Sequence, residues 1–306
     1  MFPLTNKTVI AGVVTYHEDF DLWHYFLGHP SSSRLESIKD IHVSKASHNS
    51  KPCFICLMAK LHKLPFTHSQ HKSIYCFELI HCDLWGPCNE ISYDGFRYFL
   101  TIVDDFSRCT WVYLLKYKSD ASTILQGFYT LIETQFATKI KTIRSDNGGE
   151  FDLKQFYHEK CIIHQKTCVE TPEQNVIVER KHQHILNVAR ALRFQSGLAV
   201  KYWSDCVLTA VYLINRTPSP ILNSKTPFEI LFKTKPAYTH LRVFGYLGFA
   251  FTFTNNRHKF DTRAKKSVFL GYPFGIKGYK LLDLNSKKVF ISRNVVFHEN
   301  IFLVNK

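Results

Sequence analysis

From Tyr75 to Asn215 the chain alternates short β-branched and aromatic runs with longer stretches of helical period, and that order leaves few folds open. YCFELIHCDLW reads as a first strand ending near Asp83. FRYFLTIVDDF and TWVYLLK are apolar runs separated by Ser107 and Arg108, and they read as a hairpin. SDASTILQGFYTLIETQF opens on Ser119 and Asp120, which favour helix starts, and spaces its apolar residues helically. KTIRSD supplies a fourth strand and CIIHQKTC a fifth, with a short helix expected between Phe151 and His164. In ETPEQNVIVERKHQHILNVARALRF, residues Val178, Ile185, Ala189 and Leu192 fall near one stripe. A last helix runs through WSDCVLTAVYLIN until Pro218 and Pro220 close it.

Strand, strand, strand, helix, strand, helix, strand, helix, helix is the order of a ribonuclease H-like α/β fold. The flanks differ in texture. Residues 1–66 are rich in His, Ser and Lys and carry a tight cysteine pair, while residues 233–306 are basic, aromatic and strand-like. Short strands punctuated by Gly and Asn suit a small SH3-type β-barrel. Three parts are therefore expected: 1–66, 67–232 and 233–306.

Charge and cysteines narrow the function. From Lys233 to Lys306 there are 14 Lys or Arg against Asp261, Asp283 and Glu299, a net +11 out of +14 for the whole chain. Density of that kind favours a polyanion, most simply nucleic acid, over a merely solvated basic face only when other features agree. The chain has nine cysteines, an odd number. Without a secretory signal this points to an intracellular, reducing compartment and to metal sites before disulfides. The apolar run around Val243–Phe253 holds two glycines and is too short to span a bilayer, so no membrane is expected.

In KTIRSDNGGEF an aspartate leaves the end of a strand into a loop that glycine frees to bend. Asp-Asn-Gly-Gly is good turn chemistry. It also suits a metal ligand at the carboxyl end of a sheet strand, provided other carboxylates meet it. Asp83 ends strand one, Asp146 ends strand four, and Glu179 lies early on the helix expected to begin near Gln174. Three carboxylates that close repel unless cations neutralise them, and hard oxygen ligands suit Mg²⁺ or Mn²⁺. Such a pair of ions supports phosphoryl transfer. The rival acids are Asp104, Asp105, Glu150, Asp152, Glu170 and Glu173. For Asp104 and Asp105 hairpin-turn chemistry is the preferred reading.

His24 and His29, then Cys53 and Cys56, supply four ligands of the kind structural Zn²⁺ prefers. Beside Glu179 stand Arg180, Lys181 and His182, with Arg190 and Arg193 further on. Arg180 and Lys181 are candidates for holding a nucleic-acid backbone. Arg190 and Arg193 read as a solvated face. No G-x-S-x-G elbow and no Gly-rich phosphate loop is present.

Taken in order, these segments resemble the integrase region of a copia-type LTR retrotransposon polyprotein, from about Leu22 to Phe302. LWHYFLGHP, CFICLMAK and the following LPF are similar to its pre-integrase zinc segment. LIHCDLWGP, DGFRYFLTIVDDFSR, RSDNGGEF, TPEQN, VERKHQHIL and LINRTPS are similar to its catalytic core. LRVFGY, KFDTRAKKSVFLGYP, KGYK and SRNVVFHE are similar to its SH3-like segment. The resemblance implies a DNA-integrating enzyme with an Asp, Asp, Glu triad, here Asp83, Asp146 and Glu179. It implies 3′-end processing and strand transfer, a multimer on two DNA ends, and action in the nucleus. Zinc ligands carried over land on His24, His29, Cys53 and Cys56. No protease motif precedes these segments and no polymerase segment follows, so the sequence reads as part of a polyprotein.

The sequence also departs from the family. The spacing from Asp146 to Glu179 is shortened between Phe151 and His164. Glu173 stands for a Gln, Val176, Cys161 and Ala59 for glycines, Gln183 for an Arg and Asn294 for an Asp. These changes suggest a decaying copy. A catalytically inactive nucleic-acid binder and a ribonuclease H-type nuclease are the competing readings.

Overall fold

The computed structural model describes residues 20–38, 53–60, 73–167, 175–252 and 258–302. The boundary expected at 66, the LPF run and Glu173 lie outside them. The chain divides into two compact units, Met1–Ser69 and Gln70–Lys306.

The first unit contains α1 (Phe20–Phe26), α2 (Ser32–Glu36) and α3 (Phe54–Lys60). Leu35 is its one buried hydrophobic side chain among the described residues, and α3 buries none. Among the described residues that packing contributes little to stability.

In the second unit β1 (Leu79–Trp85), β2 (Tyr98–Asp104), β3 (Thr110–Leu115), β4 (Thr142–Ser145) and β5 (Ile163–Lys166) form a five-stranded sheet in the order β3-β2-β1-β4-β5. The first three strands are antiparallel; β4 and β5 run parallel to β1. Helix α4 (Asp120–Phe136) makes the crossover from β3 to β4. It buries Ala121, Leu125, Phe128, Tyr129 and Ile132 against Ile80, Cys82, Leu100, Ile102 and Ile143. The short helix α5 (Lys154–Glu159) precedes β5, as expected. Cys161, where the family has glycine, closes that turn at φ 54°, a conformation glycine adopts without strain.

The opposite face of the sheet meets α6 (Val176–Ser196) and α7 (Trp203–Ile214), with Phe99, Ile185, Ala189, Cys206, Val207 and Ala210 in one cluster. Strand alternation decides this division. With Ile80 and Cys82 turned to α4, His81 and Asp83 are presented to the α6 side. Helix α6 begins at Val176 rather than near Gln174. Val176 is therefore a helical residue, and the family glycine it replaces is not needed for φ here. Helix α8 (Pro227–Phe232), which the sequence reading did not anticipate, is capped by Thr226 accepting from the Glu229 N–H.

The C-terminal strands β6 (Tyr246–Phe251), β7 (Ala264–Gly271), β8 (Tyr279–Asp283), β9 (Val289–Ser292) and β10 (Val295–Phe302) form an all-antiparallel sheet in the order β10-β6-β7-β8-β9. Its inner residues Ala250, Phe269 and Leu281 make a small core. Alternate residues Val268, Leu270 and Leu282 point the other way, into the cluster of α6 and α7. A buried ion pair, Lys280 to Asp205 at 2.6 Å, fastens β8 to α7.

Two glycines allow this approach. A Cβ on Gly245 (φ 87°) would lie 2.2 Å from Ser196 Cβ, and one on Gly271 (φ 125°) 2.2 Å from Thr209 Oγ1. Gly271→Ala should therefore destabilise this unit by about 2–3 kcal/mol, from overpacking plus backbone strain. Urea melts test it, and adding Thr209→Ala should restore only the part due to the clash.

Candidate metal and nucleic-acid sites

Helix α1 is followed by Gly28 at φ 70° and His29 at φ 60°. Two left-handed residues in succession reverse the chain, and the His29 N–H donates to His24 O at 2.7 Å. His29 Nδ1 thereby comes 3.0 Å from His24 Nε2. Cys53 O accepts from the Leu57 N–H, so Cys53 stands at the start of α3 with Cys56 one turn further on the same side. Cys56 Sγ lies 3.2 Å from His24 Nε2 and 3.7 Å from His29 Nδ1, and Cys53 Sγ lies 3.5 Å from His29 Nδ1. All four ligand atoms fall within 4.8 Å of one another. His24 Nδ1 is 3.0 Å from Pro30 O, which fixes its tautomer and leaves Nε2 as the ligand. This donor set and spacing fit a tetrahedral zinc ion.

The acidic residues meet at the carboxyl ends of β1 and β4. Their register pairs His81 with Arg144, so two further residues bring Asp83 beside Asp146. The first turn of α6 brings Glu179 to the same end. Their charges bear on Asp83. Burial, the charge of Asp146, and the charges of Glu179 and Glu150 push its carboxyl up to about 7, against the opposing Leu84 N–H. Asp83 Oδ1 accepts from Leu84 N–H at 2.8 Å, and Asp146 Oδ1 from Gly148 N–H at 3.1 Å. The acids have not closed to contact: among the described residues the His/Cys quartet is the one set of three or more ligand atoms within 4.8 Å. Carboxylates gathered at one sheet end repel one another, and a divalent cation would relieve that repulsion. Glu150 joins the group, its carboxylate folded to within 3 Å of where a Gly148 Cβ would stand.

Asp104 and Asp105 lie elsewhere. Asp104 is paired with Ile80, toward the opposite end of β1 from Asp83. It accepts from the N–H groups of Phe77 and Ser107 and from the Ser107 hydroxyl. Asp105 accepts from Ser73 N–H and lies 3.2 Å from both His81 Nε2 and Arg108. Burial would raise its carboxyl, but His81 and Arg108 outweigh that and hold it low. Both serve the hairpin turn.

The cations on α6 diverge. Arg180 is exposed. Lys181 is half-buried, and burial together with the charge of Arg108 pushes its ammonium down to about 8. His182, grouped with these cations in the sequence, is buried and turned to Asp83, and burial pushes it down to about 4. On the C-terminal sheet Lys265, Lys266, Lys277, Lys287, Lys288 and Arg293 are exposed.

A ribonuclease H-like sheet with acids at the β1 and β4 ends, a His/Cys quartet before it and a basic antiparallel sheet after it are together similar to the parts of integrases. The family models agree segment by segment: GAG-pre-integrase domain over residues 1–61, Integrase core domain over 77–172, and Retroviral polymerase SH3-like domain over 247–306. The chain is homologous to the integrase region of plant retrotransposon Pol polyproteins. It is 39% identical over 284 residues to the Retrovirus-related Pol polyprotein from transposon RE1 of Arabidopsis thaliana, covering 92% of this chain and 19% of that protein. It is 36% identical over 305 residues to the one from transposon TNT 1-94 of Nicotiana tabacum, covering 97% and 23%. The chain thus spans about a fifth of the length of these relatives. A chain of the simian T-cell lymphotropic virus intasome in complex with PP2A regulatory subunit B56 gamma shares the fold. Its TM-score is 0.52 at 14% identity, covering 90% of this chain and 97% of that one. Among the described residues no helix is long and apolar enough to cross a membrane.

Proposed function

We propose that this chain is a three-part integrase, with residues 1–66 binding zinc, 67–232 catalysing and 233–306 holding DNA. Its reaction is metal-dependent processing of the element's 3′ ends and their transfer to target DNA. The observation that supports this most is the placement of Asp83 and Asp146 at one end of neighbouring parallel strands, with Glu179 in the first turn of the facing helix. Mg²⁺ or Mn²⁺ held by Asp83, Asp146 and Glu179 would activate the attacking oxygen and stabilise the leaving one. The residues' own part is to bring three carboxylates from two strands and a helix to one sheet end. Arg180 and the exposed cations of the C-terminal sheet hold phosphates without reading sequence. His24, His29, Cys53 and Cys56 hold Zn²⁺ as a structural ion. The active form is a homo-multimer on two DNA ends, acting in the nucleus, where the target lies.

The test is strand transfer with an oligonucleotide carrying the element's terminal sequence, with Mn²⁺ and zinc-loaded protein. Joined products that disappear in Glu179→Gln are expected. A folded protein that binds this DNA but joins nothing would favour the second reading, a DNA-binding remnant. Cutting without joining would favour a nuclease.

A further inference from the structure

His182 follows Glu179 by three residues on α6, so both face the sheet end that carries Asp83. His182 is 8% exposed, and its Nδ1 lies 3.4 Å from Asp83 Oδ2. The ring stands edge-on to Phe99, with centroids 5.6 Å apart at 85°. Its other nitrogen, Nε2, is buried and has no partner among the described residues. A buried polar atom left unpaired is destabilising. An aliphatic side chain beside Phe99 would avoid that cost. The compensation lies at the other nitrogen, and the polar group it faces is Asp83.

We infer that His182 is a positioning residue, whose Nδ1–H orients the Asp83 carboxylate toward its place in the acidic cluster. The inference rests on the reading of that cluster as the metal site. Asp83 Oδ1 is already turned to its own neighbour, the Leu84 N–H. His182 Nδ1 faces the second oxygen at 3.4 Å, so the carboxylate has a polar neighbour at each oxygen. A buried neutral donor suits the task better than a cation. Lys or Arg at 3.4 Å from Oδ2 would neutralise the carboxylate and repel a divalent ion, whereas a neutral imidazole orients the group and leaves its charge available. Residues that hydrogen-bond metal ligands change metal affinity by about 10–100-fold when lost.

The experiment uses the full zinc-loaded chain and measures Mn²⁺ binding from the electron paramagnetic resonance signal of free Mn²⁺, which needs no turnover. Asparagine places its amide nitrogen near the position of Nδ1, and glutamine places it near Nε2. His182→Gln should raise the Mn²⁺ dissociation constant by about 10–100-fold, while His182→Asn stays near wild type. The Mg²⁺ concentration for half-maximal strand transfer should move in parallel. If His182→Gln does not fold, His182→Ala with and without free imidazole replaces it, and rescue by imidazole is expected. Asp83→Asn is the control. Equal effects of Gln and Asn, or none from either while Asp83→Asn abolishes binding, would overturn the inference alone. Unchanged Mn²⁺ binding in Asp83→Asn would overturn both it and the reading of the site.

Discussion

Asp83→Asn should yield a protein that is inert in strand transfer and, without divalent ions, more stable than wild type. Asn keeps the shape of the side chain and removes the charge that burial, Asp146, Glu179 and Glu150 oppose. The Asp83 carboxyl titrates near 7 in the fold against an ordinary 3.8. Between those values the folded state keeps a proton that the unfolded chain has released. The wild-type protein therefore loses stability as pH rises from about 4 to about 7, and the loss is complete above that range. A shift of that size corresponds to as much as about 4 kcal/mol. The variant, which takes no proton, escapes this loss. Urea melts without Mg²⁺ should show the two proteins nearly equal near pH 4 and increasingly apart up to pH 7, as linkage requires. Added Mg²⁺ should stabilise wild type and leave the variant unchanged. Strand transfer should fall by about 10²-fold or more, the scale of one charge-stabilising group in a transition state. A stability gap independent of pH would show that Asp83 is not under repulsion.

Removing zinc should unfold the first unit. Leu35 is its one buried hydrophobic side chain among the described residues, whereas His24, His29, Cys53 and Cys56 bring four ligand atoms within 4.8 Å of one another. Binding to such quartets supplies about 10–16 kcal/mol of apparent folding free energy at neutral pH. Cys53→Ser, or treatment with a zinc chelator, should abolish amide-exchange protection in α1 and α3 while β1 and β2 retain theirs. Metal analysis should find about one zinc per wild-type chain. Protection in α1 that survives metal loss would show that the quartet is not what holds the segment.

Much of the first sheet and its helices was legible because its signals are local and periodic. The apolar runs around Ile80, Leu100 and Ile143 became β1, β2 and β4, and the stripe of Val178, Ile185 and Ala189 became the buried side of α6. The meeting of Asp83 and Asp146 followed from strand order, since β1 and β4 are neighbours. Tertiary partners were not legible. Residue type alone does not set His182 apart from Arg180 and Lys181 in VERKHQ, yet His182 is buried against Asp83 while Lys181 is half-buried and Arg180 exposed. A helical wheel gives the signal that was passed over: His182 shares a side with Val178, Ile185 and Ala189 rather than with the exposed residues. Helix α8 was missed because only six residues separate its cap Thr226 from Lys233, too short for a period to register.

The texture of the sequence changes near residue 233, but the packing does not. Val268, Leu270 and Leu282 lie against Val207, Ala210 and Ile214, and Asp205 is 1% exposed with Lys280 as its ionic partner. Any shortened version ending at 232 would leave an oily stripe of α7 bare to water and strand a sequestered anion. Such a fragment would aggregate, and useful protein for biophysics must extend through Phe302.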